Sequence, residues 1–155
     1  MQWQEVIDDP NLQDLPYKIE LNEYGKIVMS PASNKHGIIQ GYIQKNLWQM
    51  SGVVFPECSI QTAKGVKVAD VVWCSENFYK THGTETPYQQ APEICVEVIS
   101  PSNSKQEMQE KIMLYLEVGA KEVWLVTTEG IIEYYNQTGE ISRSNFDLEI
   151  TEIKL

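Results

Sequence analysis

Three charged side chains occupy positions in the sequence where apolar side chains are expected. Asp70 opens the apolar run DVVWC, Glu97 lies within the apolar residues 94–99, and Lys111 falls among the apolar positions of a helical pattern. A buried charge is costly unless it is paired, binds a metal or takes part in catalysis. Two carboxylates and a lysine that converge on a β-sheet can hold a divalent cation that activates water.

Each of these residues also has a structural interpretation. Asp70 alone would be an ordinary first residue of a strand. Lys111 could keep its ammonium in water by extending along the edge of the apolar arc, and helix geometry alone favours neither position. If the three charges form a structural ion-pair cluster, the protein would be a non-catalytic interaction module.

The second half of the chain predicts the elements that would position these residues. Residues 94–99 predict a buried strand, and a helix follows over residues 105–118, where Ser104 and Glu107 resemble a capping box. Residues 122–126 predict the next buried strand. A strand–helix–strand order predicts two parallel strands joined by a right-handed crossover, and therefore a mixed α/β fold.

The rest of the sequence predicts a β-hairpin, one long helix and several strands. Gly25 fits the hairpin turn, and Pro56 interrupts the strand-rich middle. The predicted elements are a helical turn at 11–15, hairpin strands at 17–21 and 26–29, a helix at 35–50, strands at 53–55, 59–62 and 66–74, a polar loop at 79–92, and strands at 130–136 and 148–153.

Length and charge limit the possible functions. A chain of 155 residues is long enough for one domain, which we expect to span residues 1–155. Its 12 basic and 22 acidic residues give a net charge of −10, without a run of Lys or Arg. Such a chain repels nucleic acid unless a metal or a local basic patch intervenes. It has no apolar run long enough to span a membrane and no signal-peptide pattern, so we expect a cytoplasmic protein without a membrane partner.

The order of the charged residues and their neighbours resembles a known family. Asp70 is followed by Glu97-Val-Ile-Ser-Pro-Ser, by Lys111-x-x-x-Tyr115 and by Gly119-x-x-Glu122-Val-Trp. With the upstream segment GKIVMSPASNKH, this arrangement resembles the Uma-two family of restriction-endonuclease-like proteins, within the PD-(D/E)xK nuclease superfamily. The resemblance covers about residues 17–136.

This resemblance implies a restriction-endonuclease-like core, in which helices flank a mixed β-sheet behind an N-terminal β-hairpin. It implies Mg²⁺ or Mn²⁺ between Asp70 and Glu97, with the backbone carbonyl of Val98 as a third ligand. The superfamily lysine normally lies two residues after the glutamate, where this chain has Ile99. The resemblance implies that Lys111, from the following helix, takes its catalytic place.

Two further residues are accessory candidates. His36 matches a common histidine of the family, which would bind metal or orient phosphate, although a solvated histidine at a helix start is the more common situation. Glu20 would border the same site from the first strand, although a half-exposed strand residue is the stronger interpretation. The chain departs from the family at Ala69, in place of a proline, and at Thr127-Thr128, in place of Asp-Pro.

The function that the resemblance implies is a metal-dependent nuclease that hydrolyses phosphodiester bonds, and we expect DNA to be the polymer. The intact set of Asp70, Glu97 and Lys111 favours this function, while the charge of −10 favours an inactive interaction module. Nucleases that cut both strands generally work as symmetric pairs, so we expect a homodimer, with residues 131–137 as one possible interface strand.

Overall fold

The computed structural model describes residues 1–155 and has the mixed composition of helices and strands that the sequence predicts. Six strands form the main sheet, and two more form a separate hairpin. A short 3₁₀ helix at Pro10–Leu12 accompanies the regular elements. These are α1 (Trp3–Asp8), β1 (Tyr17–Leu21), β2 (Ile27–Pro31), α2 (Asn34–Leu47), β3 (Val53–Thr62), β4 (Gly65–Cys74), α3 (Glu76–His82), β5 (Ile94–Val98), α4 (Lys105–Glu117), β6 (Glu122–Val126), β7 (Ile132–Asn136) and β8 (Gly139–Ile141).

The main sheet has the strand order β3-β4-β5-β6-β7-β8. Strands β5 and β6 are parallel and are joined through α4, as the strand–helix–strand pattern predicts, while every other neighbouring pair is antiparallel. The middle of the sheet therefore changes from antiparallel to parallel pairing at β5.

Helices α2 and α4 pack on opposite faces of the sheet. Ile39, Ile43 and Leu47 of α2 join Val96 and Val98 in one core cluster. On the other face, Met108, Ile112 and Tyr115 of α4 join Cys95, Val72 and Cys74. Since side chains alternate along a strand, Glu97 shares the α4 face with Cys95.

The hairpin is fixed beside β4 by a third cluster. Leu21 of β1 packs with Trp3 and Val6 of α1 and with Val66 and Val68 of β4. Because successive strand residues point to opposite sides, Lys18 and Glu20 face away from this cluster.

Several predicted boundaries were wrong for identifiable reasons. Strand β3 continues through Pro56, because β3 is an edge strand, where the missing proline N–H need not break the ladder. Residues 148–153 form no strand; this segment packs against α2, where the Thr151 N–H donates to Asn46 Oδ1 at 2.8 Å. Helix α3 occupies the start of the predicted loop, and the third strand of the β6–β8 meander, β8, was not predicted.

None of the helices combines the length and the apolar character needed to cross a bilayer.

Candidate active site

One pocket collects the charged residues that the sequence singles out. It has a volume of about 370 Å³ and lies where β4 and β5 meet the hairpin and the start of α2. Its charged lining consists of Lys18, His36, Glu57, Asp70, Glu97 and Lys111.

Asp70 and Glu97 lie side by side on the two central strands. Both are almost fully buried, with 1% and 2% of their surface exposed. The β4–β5 pairing ends at Val71 and Val96, one residue before this pair. Beyond that point the Asp70 side chain replaces the ladder, because its Oδ2 accepts the Val98 N–H at 2.7 Å. The strands thus separate where the two carboxylates need space.

Lys18 of β1, which the sequence analysis did not single out, bridges these two carboxylates. Its Nζ donates to Asp70 Oδ1 at 3.1 Å and to Glu97 Oε2 at 2.9 Å, and the side chain is only 12% exposed. The pattern Lys18-x-Glu20 on a predicted strand carried the available signal, because two charges at this spacing share one face.

Lys111 is buried in the interior of the protein and does not extend into solvent along the edge of its helix. Its Nζ is 3.0 Å from Glu20 Oε2 and 3.4 Å from Glu97 Oε1. The Ser104–Glu107 capping box begins α4 as predicted, which sets the phase of the helix and turns Lys111 towards the sheet.

Glu20 is buried, which contradicts the interpretation of a half-exposed strand residue. Its Oε2 accepts both Lys111 and the Val68 N–H, the latter at 2.7 Å. The burial arises because β1 docks beside β4, a contact that strand alternation alone does not reveal.

His36 points into the pocket and is not the solvated residue that general experience favours. Ser33 caps α2 through the His36 N–H, which places the ring over the sheet, with Nε2 3.3 Å from Asp70 Oδ2. The hydrogen bond to Asp70 raises the pKa of His36 above its ordinary value, against the opposing effect of burial.

Tyr115 of α4 holds the carboxylate of Glu97 in place. It lies one helical turn after Lys111, and its hydroxyl donates to Glu97 Oε1 at 2.7 Å. The spacing Lys111-x-x-x-Tyr115 therefore brings an ammonium and a phenol to the same carboxylate.

The pocket shifts the pKa values of its two central carboxylates, Glu97 and Asp70, in opposite directions. Burial raises the pKa of Glu97, and the charges of Lys111 and Lys18 only partly offset it. For Asp70 the effect of burial is outweighed by Lys18 and His36, so its pKa falls well below the usual range. Diverging pKa values in neighbouring carboxylates are typical of sites that handle protons.

Glu57 is a strained member of the pocket. Its φ of +57° is unusual for a residue with a side chain, and it lies in the β3 position opposite Asp70, between the pairs of Pro56 and Cys58. Burial, with the charge of Asp70, raises the pKa of its carboxyl. Strain of this kind persists where the surroundings impose it, often at functional sites.

The two central carboxylates of the pocket suit a hard divalent cation that keeps most of its coordinated water molecules. The residues 1–155 contain no cluster of three or more His, Cys, Asp or Glu side chains arranged to ligate one ion. Asp70 and Glu97 nevertheless offer two carboxylates whose oxygens already share one cation, the ammonium of Lys18. Mg²⁺ is commonly bound by one or two carboxylates and keeps several waters.

The chain is similar to known proteins over most of its length. The family described as "Uma2: Putative restriction endonuclease" matches residues 9–152. Among solved structures, a "putative nuclease belonging to DUF820" from Anabaena variabilis superposes with a TM-score of 0.68 at 19% identity, covering 98% of this chain and 84% of that one. This likeness confirms the predicted fold class. No curated protein matches the chain.

Proposed function

Because the chain belongs to the Uma2 family of restriction-endonuclease-like proteins, we propose that it is a divalent-metal-dependent nuclease that hydrolyses phosphodiester bonds. One observation carries the proposal. Two buried carboxylates from neighbouring strands, Asp70 and Glu97, meet the buried ammonium of Lys111 in an open pocket.

In this proposal, Asp70 and Glu97 would hold Mg²⁺ or Mn²⁺, and Val98, which also lines the pocket, would add its backbone carbonyl as a third ligand. A cation at this position supplies Lewis-acid activation of the phosphate and of water. The Val98 N–H and the Tyr115 hydroxyl hold one oxygen of each carboxylate, so the other oxygens face the pocket in a fixed direction.

Lys111 stabilises the negative charge that develops on the phosphate oxygens during hydrolysis. Glu20 holds its ammonium on one side and Glu97 on the other, so the charge is in place before substrate arrives. Preorganised charge of this kind is an effective way to stabilise a transition state.

The proposed metal would supply the local positive charge that the composition of the chain lacks. In the pocket, the cationic groups of Lys18, His36 and Lys111 face the carboxylates of Glu57, Asp70 and Glu97, in a protein whose net charge is −10. A divalent cation added to this balanced set would let a phosphate diester approach although the chain as a whole repels it. We propose DNA as the polymer, on the basis of the family alone.

The proposal is tested by calorimetric titration of Mn²⁺ into the wild-type protein and into Asp70→Asn. We expect one ion per chain for the wild type and none for the variant. Asp147→Asn, at an exposed position outside the pocket, is the matched control and should bind like the wild type. If wild type and Asp70→Asn bind equally, or neither binds, the proposed metal site is wrong.

A second candidate is an inactive nuclease fold that serves as an interaction module. One observation favours it: Lys18, Lys111 and His36 already neutralise Asp70, Glu97 and Glu20 without a metal. In that case Mn²⁺ would leave the melting temperature unchanged, and Asp70→Asn would lower it.

Three further expectations belong to the proposal. Residues 1–155 act as one domain, the protein is cytoplasmic, and two copies pair so that both strands of a duplex can be cut. Analytical ultracentrifugation of the purified chain tests the pairing, and a monomer at all concentrations would contradict it.

A further inference from the structure

Lys18 holds the two carboxylate oxygens that a metal ion would need. Glu97 Oε1 accepts from Tyr115 and Lys111, which leaves Oε2 for Lys18. Asp70 Oδ2 accepts the Val98 N–H and lies next to His36, which leaves Oδ1 for Lys18. The oxygens that no other group occupies are therefore the two that the ammonium of Lys18 bridges.

We propose that Lys18 is an exchangeable internal counterion, which a divalent cation must displace and which then binds the substrate phosphate. The inference rests on the proposed function, since it concerns the same pair of carboxylates. It adds a substrate-binding residue that couples binding of the metal to binding of the substrate.

Displacement follows from charge and space. An ammonium and a divalent cation cannot share two oxygens that lie about 3 Å from Lys18 Nζ, because the two cations would repel each other strongly in this buried setting. Lys111 cannot take over the role, since its own position is fixed by Glu20 on the far side of Glu97.

The structure has open space into which a displaced Lys18 side chain can move. It lines the charged pocket and also a second, mainly apolar cavity of about 580 Å³, and the two open spaces share Tyr17 and Glu57 as well, so the flexible stem of Lys18 lies at their junction. An ammonium released there has lost two anionic partners and is available for a phosphate at the mouth of the pocket. Metal and phosphate should therefore bind with positive coupling, and each should raise the affinity for the other by the same factor.

The test measures Mn²⁺ affinity by calorimetry, with dimethyl phosphate as a stable probe for a phosphate diester. Lys18→Met should bind Mn²⁺ at least about tenfold more tightly than the wild type, because the competing ammonium is gone. Dimethyl phosphate should tighten Mn²⁺ binding to the wild type more strongly than to Lys18→Met, in which only the metal and not the ammonium can contact the phosphate.

Two control variants separate competition from a general change of charge. Lys18→Arg keeps a cation between the carboxylates and should not gain affinity. Lys121→Met removes one exposed positive charge far from the pocket and should bind Mn²⁺ like the wild type. If Lys18→Met is poorly folded without metal, the rise in melting temperature on adding Mn²⁺, larger than that of the wild type, reports the same affinity.

The outcomes distinguish this inference from the proposed function. If Mn²⁺ binds the wild type but not Asp70→Asn, and Lys18→Met gains nothing, only the role of Lys18 is wrong. If the coupling to dimethyl phosphate is absent, or is equally large in Lys18→Met, the role of Lys18 in binding phosphate is wrong. If neither the wild type nor Lys18→Met binds Mn²⁺, both proposals fail.

Discussion

Glu20 and Lys111 are 91 residues apart in the chain, and the Oε2 of one lies 3.0 Å from the Nζ of the other. This ion pair joins β1 of the N-terminal hairpin to helix α4. Glu20 also accepts the Val68 N–H, so the position of the lysine depends on β1, β4 and α4 together. The hairpin is therefore part of the site and not an appendage to the sheet.

Replacing Lys111 by methionine should remove the proposed nuclease activity without weakening the binding of Mn²⁺. We expect a loss of at least about 100-fold in cleavage rate, because a preorganised charge on the phosphate oxygens is lost. Mn²⁺ affinity should not fall, since Asp70 Oδ1 and Glu97 Oε2 are untouched. Lys105→Met, an exposed position of the same helix, is the matched control. Loss of metal binding in Lys111→Met would assign the lysine a structural role.

Replacing Tyr115 by phenylalanine should destabilise the fold. The change removes the 2.7 Å hydrogen bond to Glu97 and leaves a buried carboxylate oxygen with only the longer contact to Lys111. We expect the free energy of unfolding to fall by about 1–3 kcal/mol in urea. Tyr79→Phe, at an exposed position, should cost little. Equal stability of the two variants would show that the phenol is not needed to hold Glu97.

The contribution of His36 to stability should depend on pH. Since the pKa of His36 is raised in the folded protein, its protonated form stabilises the fold. That contribution is complete below the unfolded value, about pH 6.5, and is lost as the pH rises through the folded value. We therefore expect wild type and His36→Gln, in chelator, to differ most below pH 6.5 and to converge at alkaline pH. A gap that widens with pH would contradict the His36–Asp70 pairing.

Glu122 should matter for stability and not for the metal. Its buried carboxylate accepts from Trp124 Nε1, from the Ser144 hydroxyl and, at 2.8 Å, from the Asn145 N–H, so it fastens the C-terminal segment to β6. In Glu122→Gln an amide nitrogen would face one of these donors, at a cost of about 1–3 kcal/mol. Denaturation in urea measures the loss, with the exposed Glu117→Gln as control. Lower Mn²⁺ affinity in a folded Glu122→Gln would contradict this assignment.

The parts of the site that the sequence could predict are those in which a charge interrupts an apolar pattern. Asp70, Glu97 and Lys111 stood out because their neighbours are apolar, and α4 because its capping box is local in sequence. The structure brings all three together in one pocket.

The parts of the site that the sequence could not predict depend on contacts between distant segments of the chain. Lys18 and Glu20 lie in a strand whose burial is decided by docking against β4, so their pattern resembled that of a half-exposed hairpin. Pro56 predicts a strand break in the sequence, because the edge position of β3 is a property of strand order, which a local pattern does not contain.

The separation of the site residues along the chain has a consequence for the time at which the site can form. Lys18 meets Glu97 across 79 residues and Glu20 meets Lys111 across 91, so no early stretch of the chain contains a complete set. During synthesis the hairpin emerges first, and its charged side chains can form their ion pairs only after β5 and α4 have been synthesised. A nascent chain therefore lacks the proposed active site until residues beyond Lys111 have left the ribosome, and a truncated product that ends before α4 should have none of the proposed nuclease activity.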